Sequence, residues 1–197
     1  MRYKDETKEQ AIREKAITMI VESGLDGLSM QRLAKAANVS PATLYIYFQD
    51  RDDLIVQLSV EENRRMMIAT LENFDPDMSF AEGLRIQWLN RARFCLENPI
   101  ASLFMEQIRH SPYHQRASEL VGSEFHQTLG LFVRNNIARN ELVSLPFEVY
   151  WSVAFSPLYQ LVKFHVQGRS FPNRPAFQLT EPVILQALEL VLKALKP

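Results

Sequence analysis

The chain has 197 residues, 47% of them apolar and 23% charged, with a formal net charge of −1. That is the composition of a globular protein long enough to bury a sizeable core; it excludes a disordered chain, and charge alone announces neither a nucleic acid nor a membrane. The single cysteine, Cys95, excludes a disulfide framework or a thiolate zinc cage and suits a reducing compartment, and six glycines disfavour glycine-rich phosphate loops.

Met1 to Gln10 lacks the apolar stretch of a signal peptide. Apolar residues at Ile12, Ala16, Met19 and Ile20 predict a first helix over Glu9–Glu22, stopped by Gly24. Ser29 stands in an N-cap position before Leu33, Ala34 and Ala37, which predicts a short second helix ending at Asn38. Asparagine tolerates the left-handed backbone of a tight turn. Ser40-Pro41 opens a third short helix, serine as the cap and proline at a position whose N–H would be unbonded anyway. Leu44 and Phe48 form its inward face, leaving Thr43, Tyr45, Ile46 and Tyr47 outside. Asp50 caps a fourth helix from Arg51 to about Phe74, with Asp52 and Asp53 in the first turn, where the helix dipole favours them.

Further helices are expected from Ser79 to about Leu96, from Asn98-Pro99 to about Arg109, and as one long element from about His114 to Arg139. Phe147–Gln167 is the most apolar element, with Pro157 expected to kink it. Gly168–Gln178 reads as a loop, and Thr180–Lys196 closes the chain with Val183, Ala187, Leu188, Val191, Leu192 and Leu195 on its apolar face. Strand alternation is not seen, so the fold class is all-α: a three-helix N-terminal domain over residues 1–50 and a larger helical domain over 51–197, with the fourth helix as connector. The longest apolar region, Val149–Val166, is broken by Ser152, Ser156, Pro157, Gln160, Lys163 and His165, short of the roughly 18 uninterrupted apolar residues of a membrane span. The reading is a soluble, cytoplasmic protein.

Two short helices joined by a tight turn after a longer one form a candidate helix-turn-helix, whose second short helix would lie in the DNA major groove. On it, Thr43 could hold a phosphate or a base edge, Ala42 and Ile46 could meet a thymine methyl, and the tyrosines could donate to phosphates. Gly27–Arg51 carries three cations (Arg32, Lys35, Arg51) and one anion, Asp50, a modest positive footprint in a chain otherwise near neutral.

The stretch from Gly24 to Leu54, GLDGLSMQRLAKAANVSPATLYIYFQDRDDL, with VSPATLYIYF at its centre, resembles the DNA-binding domain of the TetR family of transcriptional repressors. The resemblance covers about the first quarter of the chain; beyond it only length and helical layout agree. It implies a regulator that binds a palindromic double-stranded operator as a homodimer, with Ser29 and Gln31 touching phosphates or base edges. It implies further that Ser40, Pro41, Ala42, Thr43, Tyr45, Ile46 and Tyr47 form the recognition helix and its cap. Arg51 stands where the family usually has a phosphate-reaching lysine, and Asn38 where glycine is usual.

The resemblance also implies that the C-terminal half encloses a cavity for a small hydrophobic or aromatic effector that releases the repressor from DNA. That half holds 16 of the 20 aromatic residues and balances its charges, so its chemistry is that of an apolar site rather than a nucleic-acid surface. Expected lining residues are Trp88, Phe104, Phe125, Trp151, Phe155 and Tyr159. The last two helices are expected to dimerise through Val153, Leu158, Leu161 and Val162 on one and Ile184, Leu188, Val191 and Leu195 on the other. The alternatives are a C-terminal half that binds a protein partner, and an all-α enzyme or lipophilic carrier that has lost DNA binding. No Ser-His-Asp or Cys-His arrangement can be placed by spacing, so neither catalysis nor a cofactor is assigned. Glu106, His110, Tyr113 and His114 surround Pro112, which interrupts metal-ligand spacing, so no metal is expected either. Cys95 reads as a buried small hydrophobe.

Overall fold

The structure is a computed structural model that describes residues 6–168 and 171–197, except for the side chain of Glu124. Residues 1–5 of the polar start and Arg169 and Ser170 of the expected loop lie outside the described residues. Among the described residues there are eleven α-helices, one 3₁₀ turn and no strand. The fold is all-α, and no described helix is long and apolar enough to cross a membrane. The chain folds into two compact units, residues 1–65 with 98–122, and residues 66–97 with 123–197. This division differs from a cut at residue 50: most of the fourth helix and two later helices belong to the first unit.

In the first unit, α1 (Glu6–Ser23) turns Ile12, Ala16, Ile17 and Ile20 inward. Gly24, at φ 72°, ends it and leads through the 3₁₀ turn Leu25–Gly27 into α2 (Met30–Ala36). The Ser29 Oγ caps α2 by accepting from Arg32 N at 3.3 Å. Asn38 adopts φ 53°, as the turn between α2 and α3 (Pro41–Tyr47) requires. Ser40 caps α3 by accepting from Thr43 N at 3.2 Å. The Asp50 Oδ1 accepts from Asp53 N at 2.8 Å and starts α4 (Arg51–Thr70), which runs from the first unit into the second. α6 (Pro99–Arg109) packs on α1, and its Phe104 and Ile108 join Leu33, Leu44, Phe48, Leu54 and Leu58 in one buried core. Here a segment distant in sequence completes a core that three short helices are too small to close alone.

The second unit is built from α5 (Phe80–Glu97), α8 (Ser123–Ala138), α9 (Phe147–Ala154), α10 (Ser156–Val166) and α11 (Glu181–Leu195). α11 packs against α5, α9 and α10, and α8 packs against α5. Trp88 of α5 is fully buried and its Nε1 donates to Ala154 O at 2.8 Å, tying α5 to the end of α9.

Three helix boundaries differ from the periodicity reading. The long element expected from His114 to Arg139 is two helices, α7 (Tyr113–Leu120) and α8, because Gly122 takes φ 108°, which no right-handed helix contains. The element expected over Phe147–Gln167 is likewise two, α9 and α10. Pro157 sits in the first turn of α10, where its missing N–H leaves nothing unpaired, so the chain breaks before it instead of kinking at it. The fourth helix ends at Thr70 and not near Phe74, and the chain turns through Asn73 at φ 57°.

Six of the eight residues expected at a dimer face are buried within the chain: Leu158, Val162, Ile184, Leu188, Val191 and Leu195. They fill the core of the second unit, and only Val153 and Leu161 are half-buried. An apolar helical stripe satisfies its own chain first whenever enough helices surround it.

Candidate nucleic-acid interface

α3 divides sharply by face. Leu44 and Phe48 are buried, and the guanidinium of Arg13 lies 5.1 Å from the centre of the Phe48 ring, so α1 holds the end of α3 by a cation–π contact. Ser40, Pro41, Ala42, Tyr45 and Ile46 are exposed, Tyr45 by 57% and Ile46 by 36%, and Thr43 is half-buried. Large apolar surface held in water on a rigid helix is costly unless a partner covers it. The Ser40 and Thr43 hydroxyls are 2.9 Å apart and share a hydrogen bond, so both are positioned by the cap before any ligand arrives. On α2, Gln31, Arg32 and Lys35 are exposed; Arg32 Nη1 also donates to Gly27 O at 2.7 Å. Ser29 is half-buried and already spent as a cap.

Two expected contacts stand differently. Tyr47 is buried, at 9% exposure, and its ring lies 6.2 Å from that of Phe48. It follows Leu44 by three residues and therefore shares the inward face, so it supports α3 from behind. Arg51 is engaged inside the first unit. Its Nε donates to Leu28 O at 2.9 Å, its Nη2 to Leu25 O at 2.6 Å, and its Nη1 to Tyr113 Oη at 3.1 Å. Tyr113 in turn donates to Asp52 Oδ1 at 2.7 Å. Arg51 thus pins the turn before α2 to the start of α4 and to α7. The charge of Arg51 is legible in the sequence, but the carbonyls of Leu25 and Leu28 that accept from it are not.

The six expected ligand residues are not brought together as one set. Phe104 belongs to the core of the first unit. Trp151, Phe155 and Tyr159 do gather in the second: the Trp151 ring lies 4.8 Å from Phe155 and 6.5 Å from Tyr159. Phe155 and Trp88 are buried, while Phe125, Trp151 and Tyr159 are half-buried. A residue the sequence reading passed over stands at the centre of that cluster. Arg91 of α5 is 1% exposed; its guanidinium carbon lies 4.8 Å from the centre of the Phe155 ring and 5.7 Å from that of Trp151. Its Nη1 donates to Tyr159 Oη at 2.7 Å. Burial pushes the nearby Tyr150 phenol up to about 12, against the lowering pull of the Arg91 charge, so Tyr150 is neutral at physiological pH. The available signal was spacing: Leu84, Trp88, Arg91 and Cys95 recur at helical intervals along one buried face, which puts an arginine where an apolar residue belongs. Cys95 is buried, as expected.

Residues 12–58 match the model of a family described as bacterial regulatory proteins, tetR family. An uncharacterized HTH-type transcriptional regulator of Haemophilus influenzae is 38% identical over 95 residues. That match covers 48% of this chain and 50% of the relative, so the chain matches only about half the length of that curated relative. Over the whole chain, a TetR family transcription regulator from Marinobacter aquaeolei VT8 superposes with a TM-score of 0.79 at 27% identity, covering 99% of this chain and 98% of that one. A TetR-family transcriptional regulator from Haemophilus influenzae RD shares the fold with a TM-score of 0.78 at 22% identity, covering 98% of each chain.

Proposed function

We propose that this chain, which belongs to the tetR family of bacterial regulatory proteins, is a DNA-binding transcriptional regulator that occupies a palindromic operator as a homodimer and leaves it when a small organic effector binds the second unit. The observation that carries the reading is the exposed face of α3, where Ala42, Tyr45 and Ile46 stand in water beside a hydroxyl pair prearranged by the Ser40 cap. Thr43 and the exposed Gln31 and Lys35 would add polar and charged contacts, and Ser40 and Pro41 would bring the N-terminus of α3 to the backbone. Two recognition helices would then lie roughly 34–36 Å apart, or a multiple of that, along the groove.

The dimer reading rests on apolar side chains left uncovered on α9 and α11. Phe147, Val149 and Leu190 are 67%, 44% and 65% exposed, and a second copy of the chain would cover them together with Val153 and Leu161. α4 gives the second unit a continuous backbone path to the reader. An effector that favours a non-binding spacing with a coupling of about 1–3 kcal/mol would weaken operator binding roughly 5–150-fold.

The test is fluorescence anisotropy of the purified protein on the intergenic DNA beside its own gene, at two salt concentrations. Tight, salt-sensitive binding with two subunits per site is expected. Failure to bind both that DNA and a randomised duplex pool would end the reading. Tyr45→Ala is expected to weaken the complex with little change in melting temperature, because the side chain is exposed. Arg51→Ala is expected to weaken it too, but by loosening the turn before α2. The slope of affinity against salt should therefore stay as in the parent chain; a slope lowered by about one would mean that Arg51 neutralises a phosphate instead.

A further inference from the structure

The Arg91 guanidinium is buried, and among the described residues no carboxylate pairs with it. The neighbouring Phe155 and Trp151 rings lie beside it, their centres 4.8 and 5.7 Å from its central carbon, and one nitrogen donates to Tyr159. Among the described residues its Nε and Nη2 have no hydrogen-bond partner, and neither has Nε2 of the buried Gln87, one turn earlier on the same face of α5. A buried charge is costly unless it is paired and its donors are filled. Nε and Nη2 are the two nitrogens of one edge of the guanidinium plane, the pair that a carboxylate engages with two parallel hydrogen bonds.

We infer that the second unit binds an organic carboxylate with an apolar or aromatic body, its carboxylate seated on the Nε–Nη2 edge of Arg91 and its body against Trp151 and Phe155. This rests on the reading that the second unit takes a small effector, and it adds the charge and the anchoring residue. The carboxylate supplies the missing negative charge and two acceptors at once, which a neutral compound of the same shape cannot do. The Phe155 and Trp151 rings beside it and the hydrogen bond to Tyr159 hold the Arg91 guanidinium in one orientation, so little ordering remains to be done on binding.

The probes are benzoate, phenylacetate, cinnamate and octanoate, each against its primary amide, followed by melting temperature and by tryptophan emission, since Trp151 borders the site. The acids are expected to raise the melting temperature and change the emission, and the amides to bind roughly ten- to a hundred-fold more weakly, the loss of a charge-assisted hydrogen-bond pair. Arg91→Met is the matching variant. A methionine of similar volume should leave the unliganded melting temperature unchanged or raise it, as removal of a buried unpaired charge does, and should abolish the response to the acids. Amides that bind as tightly as the acids, no binding by any acid at millimolar concentration, or acid affinity retained in Arg91→Met would each overturn the inference. The acid–amide comparison on the parent chain decides it even if the variant does not fold. Operator release is scored separately. Acids that bind without releasing DNA leave the Arg91 site standing and sink the effector reading, whereas release by neutral compounds alone does the reverse.

Discussion

Phe48→Ala is expected to destabilise the first unit by about 3–5 kcal/mol, the usual cost of deleting a buried phenylalanine, and to abolish operator binding with it. The ring is 1% exposed, it carries the Arg13 guanidinium on its face, and it lies beside Tyr47. Its removal therefore leaves a cavity directly behind the exposed face of α3 and takes away the ring that Arg13 lies over. A domain of this size has only about 5–15 kcal/mol of stability in total, so the change takes a large share of it. The two units can be watched apart, because both tryptophans, Trp88 and Trp151, belong to the second. The expected result is a helical melting transition by far-UV circular dichroism at lower temperature than in the parent, with tryptophan emission changing later. Coincident transitions would mean that the two units unfold as one, and an unshifted melting temperature would remove Phe48 from the core of the first unit.

Gly83→Ala should destabilise the second unit even though alanine is the better helix former. A Cβ on residue 83 would come within 2.6 Å of the Phe132 ring carbon Cζ. That ring has no room to retreat: it is fully buried, with Phe80 stacked 5.9 Å from it and Phe74 edge-on at 5.1 Å. The overpacking penalty of about 1–3 kcal/mol exceeds the roughly 1 kcal/mol that alanine gains over glycine inside a helix. Here tryptophan emission should report the shift, since Gly83 and Trp88 share α5. Adding Phe132→Leu should recover part of the loss, because the shorter side chain vacates the space the methyl needs. If Gly83→Ala proves neutral, or the second change deepens the loss, the close approach of α5 and α8 at this point is not what demands glycine.

The contrast between these two sites shows where reading the chain succeeds. The burial of Phe48 follows from its place four residues after Leu44, and the caps Ser29, Ser40 and Asp50 announce themselves by residue type and position. The demand for glycine at 83 is invisible, because it is made by Phe132, 49 positions away. Tyr47 was readable in principle from the same helical arithmetic as Phe48, but its hydroxyl suggested an outward role that packing overrules. Arg51 was legible as a charge and illegible as a brace, since its acceptors are backbone carbonyls with no side-chain signature.

What the amino-acid sequence alone determines is local: the helical periodicity, the capped turns with Gly24 and Asn38 at positive φ, and the motif that carries the family resemblance. These depend on residues within a few positions of one another, so the chain states them directly. Tertiary structure decides which apolar stripes meet. It sends Phe104 of α6 into the core of the first unit, and it buries inside the second unit most of the stripe expected to face another copy. It also places the one charge of the inward face of α5 among three aromatic rings, with an edge of its guanidinium unfilled. Apolar association is non-directional, so a stripe of leucines specifies that it will be covered but not by what; only the closing of the whole fold selects the partner.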